Sequence, residues 1–272
     1  MSSLTYASLA SGIGGLDLAV EKVLDAELIW HAEFAKSPAI IHERYWPSIN
    51  NLQDITTADW SGLERPDILC GGYPCQPFSS AGQRKGFDDS RNLWPYFQNA
   101  IRILRPQLII LENVAAHLSL GFGRVLGDLA DLRYDAEWGV FPASEIGAPH
   151  RRARVFIIAY TPGTRCERWE RSSAWSRGNI APNGNSFPWQ KFEPAIRRWE
   201  SIRGENAPTP LDSRGLDPKF VEWMMGFSIG WTEGIARTAR LKGLGNAVVP
   251  QQGTFAIESL LKRIKEVKDE LT

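Results

Sequence analysis

Along the first 160 residues, short apolar runs alternate with stretches in which apolar residues recur every three to four positions. The first pattern is that of buried strands, the second that of amphipathic helices. Leu4 to Leu9 predicts a strand, Leu16, Ala19, Val20, Val23 and Leu24 a helix, and Glu27 to Ala32 a second strand. Ser37 to Trp46 predicts a helix, Asp67 to Cys70 a buried strand, Leu93 to Leu104 a helix stopped by Pro106, and Gln107 to Leu111 a strand. Phe122 to Leu132 then reads as helix, Glu137 to Phe141 and Val155 to Ala159 as strands, and Gln252 to Lys268 as a closing helix. Repeated βα units of this kind predict an α/β fold with a doubly wound, mostly parallel sheet and helices on both faces.

The pattern breaks between Thr161 and about Gly204, where Pro162, Pro182, Pro188 and Asn183-Gly184-Asn185 interrupt any periodicity. Arg165, Arg168, Arg171, Arg177, Lys191, Arg197, Arg198 and Arg203 are interleaved there with Trp169, Trp175, Trp189 and Trp199. Such a segment is either a solvated, irregular insertion or a nucleic-acid surface whose guanidinium groups meet phosphates and base edges. Globular texture returns from Leu211, which divides the chain into residues 1–160, 161–210 and 211–272.

Composition narrows the classes. The 272 residues are 43% hydrophobic, and 31 Lys+Arg balance 31 Asp+Glu, so wholesale disorder is excluded. No apolar run approaches the roughly 18 to 20 residues that span a bilayer, and the N-terminus lacks the basic start of a secretory signal. A soluble, non-membrane protein is expected. Cys70, Cys75 and Cys166 form no C-x-x-C pair, so neither a disulfide framework nor a metal site is predicted, and a reducing cytoplasm is the expected location. Zero net charge argues against a nucleic-acid partner on average and leaves local patches open.

Candidate chemistry clusters where strands end. Ser11-Gly12-Ile13-Gly14-Gly15 opens directly into the first helix, a turn that lets a cofactor approach the backbone. Glu33 closes the second strand about 20 residues later, where a carboxylate can accept hydrogen bonds from a ribose diol. Asp54-Ile55 offers a further acceptor, of the kind an adenine amino group uses. Pro74-Cys75-Gln76-Pro77 follows the Asp67–Cys70 strand; two prolines hold Cys75 on a stiff, exposed loop, making it a nucleophile candidate, whereas Cys70 lies in an apolar strand and reads as inert. Glu112-Asn113-Val114 ends the next strand. Arg152 and Arg154 alternate on entering the Val155 strand, which by itself is also what protection of a sheet edge looks like. Gly245-Asn246-Ala247-Val248 marks a tight loop before the last helix.

In this order, Pro74-Cys75-Gln76-Pro77, Glu112-Asn113-Val114 and Gly245-Asn246-Ala247-Val248 resemble the motifs of the cytosine-C5 DNA methyltransferases of bacteria and phages. The resemblance runs from the first strand to the last helix and spares mainly residues 161–210. It implies a Rossmann-like S-adenosylmethionine-dependent fold, with 161–210 as a target-recognition region. S-adenosyl-L-methionine would be held by Ala10, Ser11, Gly12, Ile13, Gly14, Gly15, Glu33, Phe34, Asp54, Ile55, Pro74, Asn246, Ala247 and Val248. Cys75 would attack C6 of a flipped cytosine, Glu112 would bond N3 and the 4-amino group, Arg154 would hold O2, Arg152 would orient loop and base, and Asn113 would brace the loop. Ser79, Gln83, Arg84 and Lys85, with Arg165, Arg168, Arg171 and Arg177, would meet duplex DNA.

Two departures stand out: Ala10 replaces a usual aromatic residue, and His150 replaces the usual Gln before the paired arginines. His150 is then either a pH-sensitive group or a neutral hydrogen-bonding substitute. A monomer acting on double-stranded DNA is expected, with a restriction endonuclease as a possible counterpart. The alternatives are an RNA cytosine-C5 methyltransferase, a catalytically silent DNA-binding protein and a nucleotide-dependent oxidoreductase.

Overall fold

The computed structural model describes residues 3–73, 92–163 and 187–270. In chain order its elements are β1 (Leu4–Leu9), α1 (Gly15–Leu24), β2 (Ala26–Ala32), α2 (Lys36–Tyr45), β3 (Asn50–Asn51), β4 (Ile68–Gly72), α3 (Trp94–Leu104), β5 (Leu108–Val114), α4 (Phe122–Asp131), β6 (Asp135–Pro142), β7 (Ala153–Tyr160), α5 (Glu193–Arg203), β8 (Leu211–Asp212), β9 (Gly215–Leu216), α6 (Pro218–Met224), α7 (Arg237–Asn246) and α8 (Pro250–Glu270). Among the described residues, a seven-stranded sheet runs in the order β3-β2-β1-β4-β5-β7-β6. All neighbours are parallel except β7, which is antiparallel to both β5 and β6.

The central strands are apolar throughout because helices cover both faces. Leu108, Ile110, Phe156 and Ile158 pack with Leu16, Ala19 and Val20 of α1 and Ile257, Leu260 and Ile264 of α8. The alternate residues Ile109, Leu111, Val155 and Ile157 pack with Phe97 and Ile101 of α3 and Val125 and Leu129 of α4. A Cβ placed on Gly253 would lie 2.8 Å from the Ala19 Cβ, so a glycine is what lets α8 press against α1. Among the described residues no helix is long and apolar enough to cross a membrane.

Local pattern fails in three places. The segment from residue 187 onward is not irregular. Trp189, Ile196, Trp199, Phe220 and Trp223 form a small core with Ala143 and Ala148, and the Trp199 indole donates to the Trp223 carbonyl at 3.0 Å. Ile196, Trp199 and Glu200 lie on the buried face of α5, but charges between them conceal the periodicity. The arginines of this stretch are engaged within the protein: Arg197 pairs with Glu193 and Glu200, Arg198 donates to the Gly147 carbonyl, and Arg203 donates to Glu205 and the Phe227 carbonyl. Secondly, Gly245 and Asn246 end a helix, α7, where only a loop is expected. Gly243 and Gly245 lower its local helix propensity, and Gly243 faces Ile13 so closely that a Cβ there would lie 3.1 Å from it. Thirdly, β7 sits inside the sheet, so its arginines do not protect an edge.

Candidate functional site

The chain leaves β1 toward β2 and β3 on one side of the sheet and resumes at β4 on the other. That reversal opens a crevice at the carboxyl ends of β1 and β4, where open α/β sheets bind ligands. The Ser11–Gly15 turn, Glu33, Tyr73 and Glu112 all emerge along this edge.

The turn is built on left-handed backbone, with φ of +61° at Gly12 and +84° at Gly14, a conformation glycine adopts without steric cost. Among the described residues, a Cβ on Gly12 would touch nothing within 4 Å. Gly14 and Gly15, by contrast, are packed against the Trp46 ring and the Val248 carbonyl oxygen. The Glu33 carboxylate accepts the Gly12 N–H through Oε2 and the Ala35 N–H through Oε1, each at 2.8 Å. Burial raises its pKa and the two amides oppose the rise. Phe34 follows and is 75% exposed. Asp54 lies beyond β3 on the surface, where the backbone and hydroxyl of Thr56 hold its carboxyl below the usual range, and Ile55 is buried.

The second half of the crevice centres on Glu112. Its Oε1 lies 3.0 Å from Arg154 Nε, and both side chains are largely buried. Gly72 makes room for the pair, since a Cβ there would lie 3.1 Å from Glu112 Oε2. Burial raises the Glu112 pKa, against the opposing pull of Arg154 and Arg152. Asn113 donates through Nδ2 to the Tyr73 carbonyl at 3.0 Å. It thereby braces the last described residue before Pro74.

The paired arginines part company. Arg152 precedes β7 with φ +32°, and its Nη2 donates to the carbonyls of Gly245 at 2.9 Å and Ala247 at 2.5 Å. Arg154 thus serves Glu112, while Arg152 ties β7 to the chain around Asn246. A ring nitrogen of His150 meets the Met224 carbonyl at 3.0 Å, and burial lowers the imidazole pKa. A neutral ring donating that hydrogen bond fits the structural substitute rather than the pH-sensitive group. Pro74, Cys75, Ser79, Gln83, Arg84, Lys85, Arg165, Arg168, Arg171 and Arg177 lie outside the described residues.

A family model of C-5 cytosine-specific DNA methylases matches residues 4–193, most of the chain. The chain belongs to this family. It is 31% identical over 164 residues to the Type II methyltransferase M.Bsp6I of Bacillus sp. (strain RFL6), covering 58% of this chain and 52% of that protein. It is also 31% identical over 165 residues to the Type II methyltransferase M.HhaI of Haemophilus parahaemolyticus, covering 59% and 50%. The chain therefore spans about half the length of these relatives in the matched region. The solved structure of the S. pombe Dnmt2 methyltransferase superposes with a TM-score of 0.66 at 16% identity, over 96% of this chain and 99% of that one, a likeness of fold.

In this C-5 cytosine methylase-family chain, several residues that shape the site carry no local signal in the sequence. Trp231 donates its indole N–H to the Ile13 carbonyl at 2.9 Å, across 218 residues of chain. Gln252 of α8 donates to the Phe141 and Arg152 carbonyls at 2.5 and 2.7 Å. Asp17, His31 and His42 are buried beneath the glycine turn. Only the Gly15 approach to Val248 has a sequence signature, a second glycine at the helix entry. Gly15→Ala is expected to drive a methyl group into that carbonyl and cost about 2–3 kcal/mol, or roughly 5–10 °C in Tm. Thermal unfolding beside a Gly12→Ala control checks it. Among the described residues the control meets no neighbouring atom, and it carries only the strain of its positive φ.

Proposed function

We propose that the chain transfers a methyl group from S-adenosyl-L-methionine to C5 of a cytosine flipped out of duplex DNA, through a transient bond to Cys75. The observation that carries this reading is the buried Glu112–Arg154 pair, set at the strand ends on the same sheet edge as the glycine turn.

The residues present suit the cofactor. Among the described residues nothing crowds Gly12 at the turn, each Glu33 oxygen keeps a free lone-pair position for a ribose hydroxyl, and the exposed Phe34 offers a ring face to adenine. When bound, S-adenosylmethionine supplies an electrophilic methyl carbon on a positively charged sulfur.

Cytosine C5 is a weak nucleophile because its electrons belong to the aromatic ring. Addition of the Cys75 thiolate to C6 forms an S–C6 bond and moves an electron pair toward C5, which can then take the methyl. Glu112, whose hold on a proton burial strengthens, donates to N3 and neutralises the charge that develops there. Arg154 fixes the Glu112 carboxyl and faces the base at O2. Loss of the C5 proton and departure of the thiolate restore the ring. A stacked base does not expose C6, so flipping is required, at a cost of a few kcal/mol. Residues 161–210 are proposed to read the target, with its basic residues between 164 and 186 as the contacts.

The test is transfer of labelled methyl from S-adenosylmethionine to unmethylated duplex DNA, with RNA as a parallel substrate. Label recovered as 5-methylcytosine at one short DNA motif is the expected result. Label in RNA alone would move the substrate and keep the chemistry. Absence of label in both, with cofactor bound, would favour a silent DNA-binding protein.

A further inference from the structure

Beneath the glycine turn lies a cluster of polar side chains that neither the cofactor cradle nor the Glu112–Arg154 pair uses. Asp17, in the first turn of α1, is fully buried, and among the described residues neither carboxylate oxygen has a hydrogen-bond partner in good geometry, although the Ser8 hydroxyl faces it. The His42 ring on α2 is equally buried, and among the described residues neither nitrogen has a hydrogen-bond partner in good geometry, although the Ser11 backbone faces it; its Nε2 lies 3.9 Å from Asp17 Oδ2. That ring is stacked between His31 at 4.3 Å and Trp46 at 4.6 Å. His31 Nδ1 in turn lies 3.3 Å from Ser11 Oγ. A Cβ on Gly14 would meet the Trp46 ring at 2.5 Å and His42 Nε2 at 3.6 Å, so the turn rests directly on the stack. The contacts run from Ser11 through His31 and His42 to Asp17 and so return to the segment where they began. Gly12 and Gly14 span the gap between the two ends.

A buried carboxylate without a donor is costly, and either a proton or an approaching partner relieves it. We infer that Asp17 and His42 form a pH-sensitive positioning pair for the glycine turn, and so for the cofactor which, on the reading proposed above, the turn holds.

Burial pushes the Asp17 carboxyl up to about 7, offset in part by Ser8. Burial lowers His42 to about 4 and His31 to about 3, so both imidazoles are neutral at pH 7 and Asp17 is the member that titrates there. The other groups facing Asp17 are Tyr6 and Ser8 of β1, Cys70 of β4, Glu21 of α1 and Glu33 just after β2. None of them is a cation. Glu21 is bound by the Tyr6 hydroxyl and the Trp46 indole, Glu33 by backbone amides, and burial keeps Tyr6 and Cys70 protonated. From α8, the buried residues of the adjoining core are the apolar Ala256, Ile257, Leu260 and Ile264. Among the described residues, the donors available to ionised Asp17 are the Ser8 hydroxyl and the His42 N–H, and the latter is the one that carries the glycine turn. Closing from 3.9 Å to a charge-assisted bond of about 2.8 Å shifts the ring on which Gly14 rests and the His31 contact to Ser11.

The experiment is histidine and glycine amide NMR of the full chain without cofactor, from pH 5.5 to 8.5, with the four histidines assigned by substitution. His42 and the amides of Gly12 and Gly14 are expected to move together with one midpoint near 7, and Asp17→Asn to abolish that movement. His42→Phe keeps a stacking ring without its nitrogens and is expected to flatten the glycine shifts as well, which covers the case in which Asp17→Asn does not fold. By calorimetry, Kd for S-adenosylmethionine is expected to change about threefold or more across the midpoint in wild type and to stay flat in both variants. Glycine amides that ignore the titration, or an Asp17→Asn protein that keeps it, would overturn the pair. Coupled titration in a chain that binds no S-adenosylmethionine at any pH would instead support the pair and remove the cofactor reading.

Discussion

Cys75→Ala is expected to lower methyl transfer by about 10⁴-fold or more, because no other group in the proposed mechanism raises the electron density at C5. Glu112 and Arg154 can polarise the ring from the N3 and O2 side, but neither adds to C6. S-adenosylmethionine and DNA affinities are expected to change by less than about threefold, since one sulfur atom contributes little to either contact. A duplex carrying 5-fluorocytosine separates the loss of the nucleophile from a loss of folding. Fluorine cannot leave as a cation, so the wild-type chain should accumulate as a covalent protein–DNA complex, and the variant should form none while still binding the duplex. Turnover retained in Cys75→Ala would remove the covalent route.

Glu112→Gln is expected to lower single-turnover transfer by about 10²–10⁴-fold, the range of a lost general acid. Glutamine keeps the side-chain length and still offers Arg154 an oxygen, so the expected loss of stability is only about 1 kcal/mol. What it lacks is a proton to give. The sign of the pH dependence follows from the same residue. Burial raises the pKa of Glu112, so the protonated form persists to higher pH than in water, and activity falls as pH rises through the raised value. Arg154 opposes that rise, and Arg154→Ala is therefore expected to move the alkaline limb upward while lowering the maximum. Glu112→Gln should erase the limb. A single-turnover pH–rate profile of the three proteins checks both, and an identical limb in Glu112→Gln would assign the proton elsewhere.

Much of the candidate site was legible in the sequence because its residues sit on strand ends, and strand ends carry their own local marks. Glu33 follows an apolar run, and the structure sets its carboxylate on the Gly12 amide. Glu112 follows another, and its neighbour Asn113 braces Tyr73. The paired arginines were legible as a pair but not as a division of labour. Their alternation suggests one face, whereas the positive φ of Arg152 turns its guanidinium to Gly245 and Ala247 and leaves Arg154 to Glu112. The helix of Glu193–Arg203 was hidden because Arg197 and Arg198 separate Ile196 from Trp199 and Glu200 follows, and its burial depends on Phe220 and Trp223 from a later segment.

The sequence by itself determined the βα alternation, the glycine turn and the order of the chemical motifs, since each depends on residues within a few positions of one another. The tertiary structure decided what depends on distant partners. It set β7 antiparallel between β5 and β6. It brought Trp231 to the Ile13 carbonyl and Gln252 to that of Arg152. It also enclosed Asp17 with His42 under the turn, where exclusion of water turns an ordinary carboxylate into one that titrates near neutrality. Periodicity registers which residues turn inward, but the energy of a buried polar group depends on what meets it there, and that is settled only when the helices close on the sheet.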